Sequence, residues 1–118
     1  MSYTDLIVYR KSYQLTLRVY EVAKKFPKEE LYGLTSQIKR AAFSIPLNIA
    51  EGYGKRASEN EFKRFLTMSV GSSDEMNVIV ELTKDLGILN QEEYVELKEG
   101  YTEIGKMLNG LIAKWTKF

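Results

Sequence analysis

Carboxylates, lysines and tyrosines are the side chains left to this chain for acid–base chemistry, because the sequence contains no histidine and no cysteine. The common zinc sites and most nucleophile–base pairs need one of those two residues. Glu51, Glu61 and Glu75 are candidates for a buried carboxylate group, but four-helix metal sites built on Glu-x-x-His pairs also need histidine. We therefore expect no enzymatic activity, no metal and no cofactor.

Pairs of basic residues recur in the first half of the chain, and they could neutralise the phosphates of RNA or DNA. Residues 1–64 hold 12 Lys and Arg against 7 Asp and Glu, whereas residues 65–118 hold 5 against 9, so the whole chain carries only +1. The alternative is a set of solvated surface charges beside neighbouring glutamates. The candidate nucleic-acid-binding residues are Lys39, Arg40, Lys55, Arg56, Lys63 and Arg64.

Four segments carry apolar residues at a helical period, and none shows a sustained strand alternation. The predicted helices cover about 5–25, 31–51, 58–86 and 90–118, with breaks at Pro27, Gly52–Gly54 and Gly87–Asn90. A chain of this length suits a single domain, here over residues 1–118. Amphipathic helices joined by short connections predict an all-α, antiparallel up-down-up-down four-helix bundle.

Pro46 falls inside the second predicted helix, where proline removes one hydrogen bond and crowds the carbonyl of Ala42, at a cost of about 3 kcal/mol in an ordinary helix. The apolar stripe nevertheless keeps its phase from Ile45 to Ile49. We therefore expect one continuous helix that is bent at Pro46.

Gly71 falls inside the third predicted helix, and serines surround it at positions 69, 72 and 73. Small side chains allow two helices to approach closely. We therefore expect the second and third helices to pack tightly where Gly71 meets Ala41 and Ala42.

The first predicted helix has two apolar faces, more than one bundle seam requires. One face consists of Leu6, Tyr9, Tyr13, Leu17 and Tyr20. The other consists of Val8, Leu15, Val19, Val22 and Phe26. Because a large exposed apolar patch is rare on a monomer, we expect one face in the core and the other against a second subunit, unless a long loop covers it. The sequence does not say which is which, so the candidate interface residues are Leu6, Val8, Tyr9, Tyr13, Leu15, Val19 and Val22.

Neither a targeting segment nor a membrane span is apparent. Residues 1–10 place Asp5 before any hydrophobic stretch and lack the basic and apolar regions of a signal peptide. No run approaches the roughly 18 apolar residues that a spanning helix needs. We expect a cytoplasmic protein.

The run from Gly33 to Gly52, GLTSQIKRAAFSIPLNIAEG, closely resembles the bacterial four-helix-bundle family of 23S ribosomal RNA intervening sequence proteins, also called S23 proteins. Phe65-Leu66 and Gly71–Glu75 extend the resemblance, as do the Asp5-Leu6 opening and the Phe26-Pro27 break. The resemblance implies a small antiparallel bundle with no established enzymatic activity, often encoded within an insertion in a 23S rRNA gene.

That family is similar to the accessory variability determinant protein of diversity-generating retroelements, a barrel-shaped homopentamer that binds nucleic acid and its reverse transcriptase. The similarity implies a homopentamer here, with RNA or a ribonucleoprotein as a further partner. The near-neutral charge of this chain departs from that strongly basic relative, and this counts against nucleic-acid binding more than against assembly. We therefore expect a non-enzymatic oligomeric scaffold or adaptor associated with RNA or ribonucleoprotein; the alternative is direct nucleic-acid binding through residues 55–64.

Family-like polar positions form a stripe, since five of them recur at steps of three and four on one helix. We expect a structural role for them rather than catalysis, with Arg40 ion-paired to Glu51 or Glu75. The members of this predicted network are Gln37, Arg40, Ser44, Asn48, Glu51 and Glu75.

Overall fold

The computed structural model describes residues 2–115, and within them it contains helices and no strands. The helices are α1 (Ile7–Ala23), α2 (Leu34–Gly54), α3 (Glu59–Asp85) and α4 (Gln91–Lys114), with short 3-10 helices at Tyr3–Asp5 and Lys28–Glu30. Each long helix packs against the next and α1 packs against α4, which closes a bundle of 48 × 23 × 20 Å. The all-α four-helix prediction is confirmed; Phe118, the predicted end of the last helix, lies outside the described residues.

Local capping signals set the ends of the last two helices. Ser58 caps the start of α3, since its hydroxyl accepts a hydrogen bond from the backbone N–H of Glu61 at 3.2 Å. Asn90 and Glu93 exchange both capping hydrogen bonds, at 2.8 and 3.0 Å, and so form a complete capping box at the start of α4. Gly87 follows α3 with a φ of 79°, a left-handed conformation that glycine adopts without strain.

Glu93 is a mostly buried carboxylate that ties the start of α4 to the end of α1 through an ion pair with Lys25. Burial opposes its ionisation, but hydrogen bonds from Lys25 and from the backbone of Asn90 outweigh it and hold the pKa of Glu93 below its usual value. Its ionised form therefore stabilises the fold above the unfolded-state pKa, and this stabilisation disappears as the pH falls through the folded-state pKa.

We expect the stability difference between the native chain and a Glu93→Gln variant to shrink as the pH falls from about 6 to about 3. Glutamine keeps the shape of the side chain but cannot ionise, so only the native chain loses this contribution. Urea unfolding midpoints at several pH values measure the difference. A difference that stays constant over this range would show that the Glu93 carboxylate contributes no pH-dependent stability.

The two apolar faces of α1 have different surroundings. Val8, Val19 and Val22 are buried in the bundle core, so these three candidate interface residues serve the core instead. The prediction that these three valines are interface residues is therefore wrong, and the face to which they belong is the core face. Leu15 is half-buried against Gly100 of α4. The exposed side chains are those of the opposite face: Tyr13, Leu17 and Tyr20.

Helix α2 runs without interruption through Pro46, which confirms the predicted continuity; the bend there stays a prediction. Proline has no N–H to donate, so the carbonyl of Ala42 lacks its usual partner within the helix. The hydroxyl of Thr16 in α1 lies 3.2 Å from that carbonyl oxygen and 2.7 Å from the carbonyl oxygen of Ser12. The single proton of this hydroxyl is shared between the two oxygens, so α1 supplies the longer arm of a shared hydrogen bond to the carbonyl that Pro46 leaves unpaired.

The tightest glycine contact between α2 and α3 involves Gly52 and not Gly71. A Cβ on Gly52 would lie 2.6 Å from the Cβ of Phe65, whereas a Cβ on Gly71 would meet no atom of residues 2–115 within 4 Å. The predicted role of Gly71 is therefore wrong, because its Cα faces solvent. Ala41 and Ala42 are fully buried as expected.

Candidate functional site

An apolar groove of about 400 Å³ runs between α1 and α2. We call it the α1–α2 groove. Leu17 and Phe43 stand on its two sides with 53% and 51% of their surface exposed. The residues of the groove used below are Tyr9, Tyr13, Leu17, Tyr20, Phe43 and Leu47. Such a concave surface, rich in aromatic side chains, is typical of sites that another molecule covers.

The tyrosines at the start of the α1–α2 groove stack on one another. The rings of Tyr3 and Tyr9 meet edge to face at 4.9 Å, and those of Tyr9 and Tyr13 lie 6.0 Å apart. Burial, followed by the proximity of Tyr3 and Tyr13, raises the pKa of Tyr9 above its usual value. The groove wall at Tyr9 is therefore neutral at physiological pH.

Sequence reasoning found the α1 side of this groove and missed the α2 side. Phe43 and Leu47 are four residues apart and lie off the buried stripe of α2, yet both are large and apolar. That spacing is a signal for a second apolar face on the helix, just as on α1. Among the predicted interface residues, Tyr9 and Tyr13 line the groove, while Leu6 is half-buried elsewhere.

The predicted polar residues fall into two separate hydrogen-bonded groups beside the seam between α2 and α3, and Glu51 belongs to neither. Arg40 pairs with Glu75 and also donates to Gln37 at 3.0 Å. One seam hydrogen bond joins the hydroxyls of Ser44 and Ser72 at 2.6 Å. Within α2, the Asn48 amide also donates to the Ser44 carbonyl at 2.8 Å. Glu51 is exposed and has no hydrogen bond to any described residue, so Glu75 is the acidic partner of Arg40.

A second exposed apolar surface lies on the other side of that polar seam, on α3. Val78, Leu82 and Leu86 repeat every four residues and form one row on the helix surface. We call this row the α3 ridge. Val78 is 67% exposed, more than either Leu17 or Phe43. Acidic residues flank the ridge, with Asp74 one turn before it and the exposed Asp85 near its end.

The predicted basic residues fall into two separate groups. Lys55 and Arg64 both lie over the ring of Phe65, at 5.4 and 4.6 Å from its centroid. Lys39 and Arg40 belong to the other group, because Arg40 and Lys55 are about 22 Å apart along α2 at the helical rise per residue.

The first basic group also includes Arg56 and Lys63, next to Lys55 and Arg64 in the chain. Arg56 lies over the ring of Tyr53 at 4.1 Å and donates to its backbone carbonyl at 2.9 Å. Arg64 donates two hydrogen bonds to Glu61, at 2.9 and 3.2 Å, which lowers the pKa of that carboxyl. Glu61 therefore partly offsets the positive charge of this group.

The candidate carboxylates do not form a common site. Glu61 bonds to Arg64, Glu75 pairs with Arg40, and Glu51 is exposed. Over residues 2–115, no three acidic side chains come together as metal ligands would. Of the helices that the structure describes, none is long and apolar enough to span a membrane.

Comparisons with known proteins agree with the resemblance seen in the sequence. No curated protein matches the chain. The crystal structure of a protein of unknown function from the S23 ribosomal protein family of Bacteroides thetaiotaomicron is similar in fold, with a TM-score of 0.82 and 25% identity. The match covers 90% of this chain and 98% of that one. Residues 4–110 match the family described as 23S rRNA-intervening sequence protein, and the chain therefore belongs to that family.

Proposed function

We propose that this protein is a non-enzymatic helical bundle that assembles with copies of itself and acts as a scaffold or adaptor associated with RNA or ribonucleoprotein. The observation that carries the assembly is the α1–α2 groove. Its exposed wall comprises the three α1 residues Tyr13, Leu17 and Tyr20 and the two α2 residues Phe43 and Leu47. Covering aromatic and aliphatic side chains with a partner removes them from water, which is the main favourable term in association.

The proposed assembly is a closed ring, with the homopentamer favoured by the similarity to the accessory variability determinant protein. A ring repeats every surface of the subunit around its axis. The basic group at residues 55–64 would then occur once per subunit, so that modest contacts of each copy with an RNA add up. The description of the family by a 23S rRNA intervening sequence supports RNA or a ribonucleoprotein as the associated partner.

A double variant, Leu17→Glu with Phe43→Glu, tests the assembly. Two carboxylates in the groove would have to be desolvated at the subunit contact, so we expect the variant to sediment as a single chain of 13.6 kDa while the native chain sediments as an oligomer. Both positions are about half exposed, so the helical content of the variant should match the native value.

The matched control for this test is Val95→Glu, which places a carboxylate on an exposed apolar position of α4 outside the groove. It should retain the native mass. A groove variant that keeps the native oligomeric mass would overturn the proposed role of the groove.

Direct binding of nucleic acid is the second candidate function. The observation that favours it is the placement of Lys55 and Arg64 on one ring, with Arg56 and Lys63 beside them in the chain. Cations held together in this way can neutralise neighbouring phosphates and release counterions.

Structured RNA is the probe for this second function, at about 50 mM and then about 200 mM salt, over which phosphate-driven binding falls at least tenfold. We expect Lys55→Glu with Lys63→Glu to abolish binding. The control pair, Lys24→Glu with Lys28→Glu, makes the same charge change on exposed residues at the opposite end of the bundle. Equal losses from both pairs, or no binding by the native chain at low salt, would eliminate this function.

A further inference from the structure

We propose that the α3 ridge of one copy inserts into the α1–α2 groove of the next, so that self-association is head-to-tail. This inference rests on the proposed function, because it names which surface of the second copy occupies the groove. The ridge is an exposed apolar row on α3, and the groove is concave and apolar. Rows of side chains four residues apart are the ridges that fill grooves when helices pack together.

The dimensions of the two surfaces agree. Val78 and Leu86 are about 12 Å apart along α3 at the helical rise per residue. Tyr9 and Tyr20, which line the groove near its two ends, are about 16 Å apart along α1 on the same basis. The ridge is therefore short enough to lie within the groove.

The charges at the margins of the two surfaces are opposite. Asp74 and Asp85 flank the α3 ridge. Lys39 stands at the Tyr20 end of the groove, with its ammonium 5.0 Å from the centre of that ring. Complementary charges of this kind fix orientation and favour the correct partner more than they add affinity.

A groove-to-groove contact would leave the α3 ridge uncovered in both copies. The polar seam of Arg40, Glu75, Ser44 and Ser72 lies between the groove and the ridge, so the two do not merge into one patch. A single head-to-tail contact covers both surfaces at once. Contacts of this type repeat from copy to copy and end only when the chain of subunits closes into a ring.

Two double variants separate the surfaces: the groove variant, Leu17→Glu with Phe43→Glu, and a ridge variant, Val78→Glu with Leu82→Glu. Each should sediment as a single chain when alone. The groove variant keeps an intact ridge and the ridge variant keeps an intact groove, so an equimolar mixture should form particles of two chains that contain one of each. Helical content by circular dichroism and the Val95→Glu control establish that lost assembly does not reflect unfolding.

The outcomes distinguish the two proposals. If the native chain is an oligomer and the ridge variant keeps its mass, the proposed self-assembly stands and the ridge-into-groove contact is overturned. The contact is likewise overturned if both variants are single chains but their mixture does not pair. If the native chain sediments as a single chain, both the proposed self-assembly and the ridge-into-groove contact are overturned.

Discussion

Gly52→Ala is expected to destabilise the bundle by about 2–3 kcal/mol, because the added methyl group overfills the contact between α2 and α3. Its carbon would lie 2.6 Å from the Cβ of Phe65 and 3.3 Å from the carbonyl oxygen of Phe62. Neither atom can rotate away, because the Phe62 oxygen belongs to the backbone and the Phe65 Cβ is bonded directly to its own Cα. The two helices would have to separate, and the buried Phe62 and Leu66 near this contact would lose packing.

Gly71→Ala is the matched substitution in the same pair of helices and should have the opposite effect. No atom of the described residues lies within 4 Å of the position of its Cβ, so the methyl group is accommodated. Alanine in a helix interior is more favourable than glycine by about 0.5–1 kcal/mol. Urea unfolding at one fixed chain concentration measures both variants, because assembly adds to the apparent stability. Equal effects at the two positions would contradict the close approach at Gly52.

Thr16→Val is expected to cost about 1–2 kcal/mol, because it removes the hydroxyl that serves the unpaired carbonyl of Ala42. The cost should depend on Pro46. In a Pro46→Ala background the residue at position 46 has an N–H, which can donate to the Ala42 carbonyl within α2. The loss caused by Thr16→Val should then be smaller.

A double-mutant cycle on positions 16 and 46 isolates that dependence. Four unfolding curves suffice: the native chain, each single variant and the double variant. A coupling energy near zero would mean that the Thr16 hydroxyl does not compensate for Pro46. Valine is the appropriate replacement because it keeps the shape of threonine, so that the cycle reports the hydroxyl and not a cavity.

The features that the sequence predicted well depend on neighbours close in the chain. Leu97, Tyr101, Ile104 and Leu108 follow one another at steps of three and four, which sets them on one face of α4, and all four are buried. The Asn90 capping box and the left-handed Gly87 follow from residues within one turn. Such local interactions are available to sequence reasoning because the relative positions of the groups are set by the helix itself.

The features that the sequence did not predict depend on how one helix is rotated and displaced relative to another. Gly52 and Gly71 are both glycines of this pair of helices, and the way in which α2 and α3 are placed against each other buries Gly52 at the contact and leaves Gly71 facing solvent. The same placement of the helices pairs Arg40 with Glu75 and leaves Glu51 without a hydrogen-bond partner among the described residues. Periodicity likewise defined two apolar faces on α1, but the positions of α2 and α4 determine which of them is buried.

Sedimentation equilibrium of the native chain at micromolar concentration tests most directly whether other copies cover the α1–α2 groove. We predict a particle of several chains, with a mass that is a multiple of 13.6 kDa. A stable particle of 13.6 kDa at that concentration, with Leu17 and Phe43 left in contact with water, would contradict it.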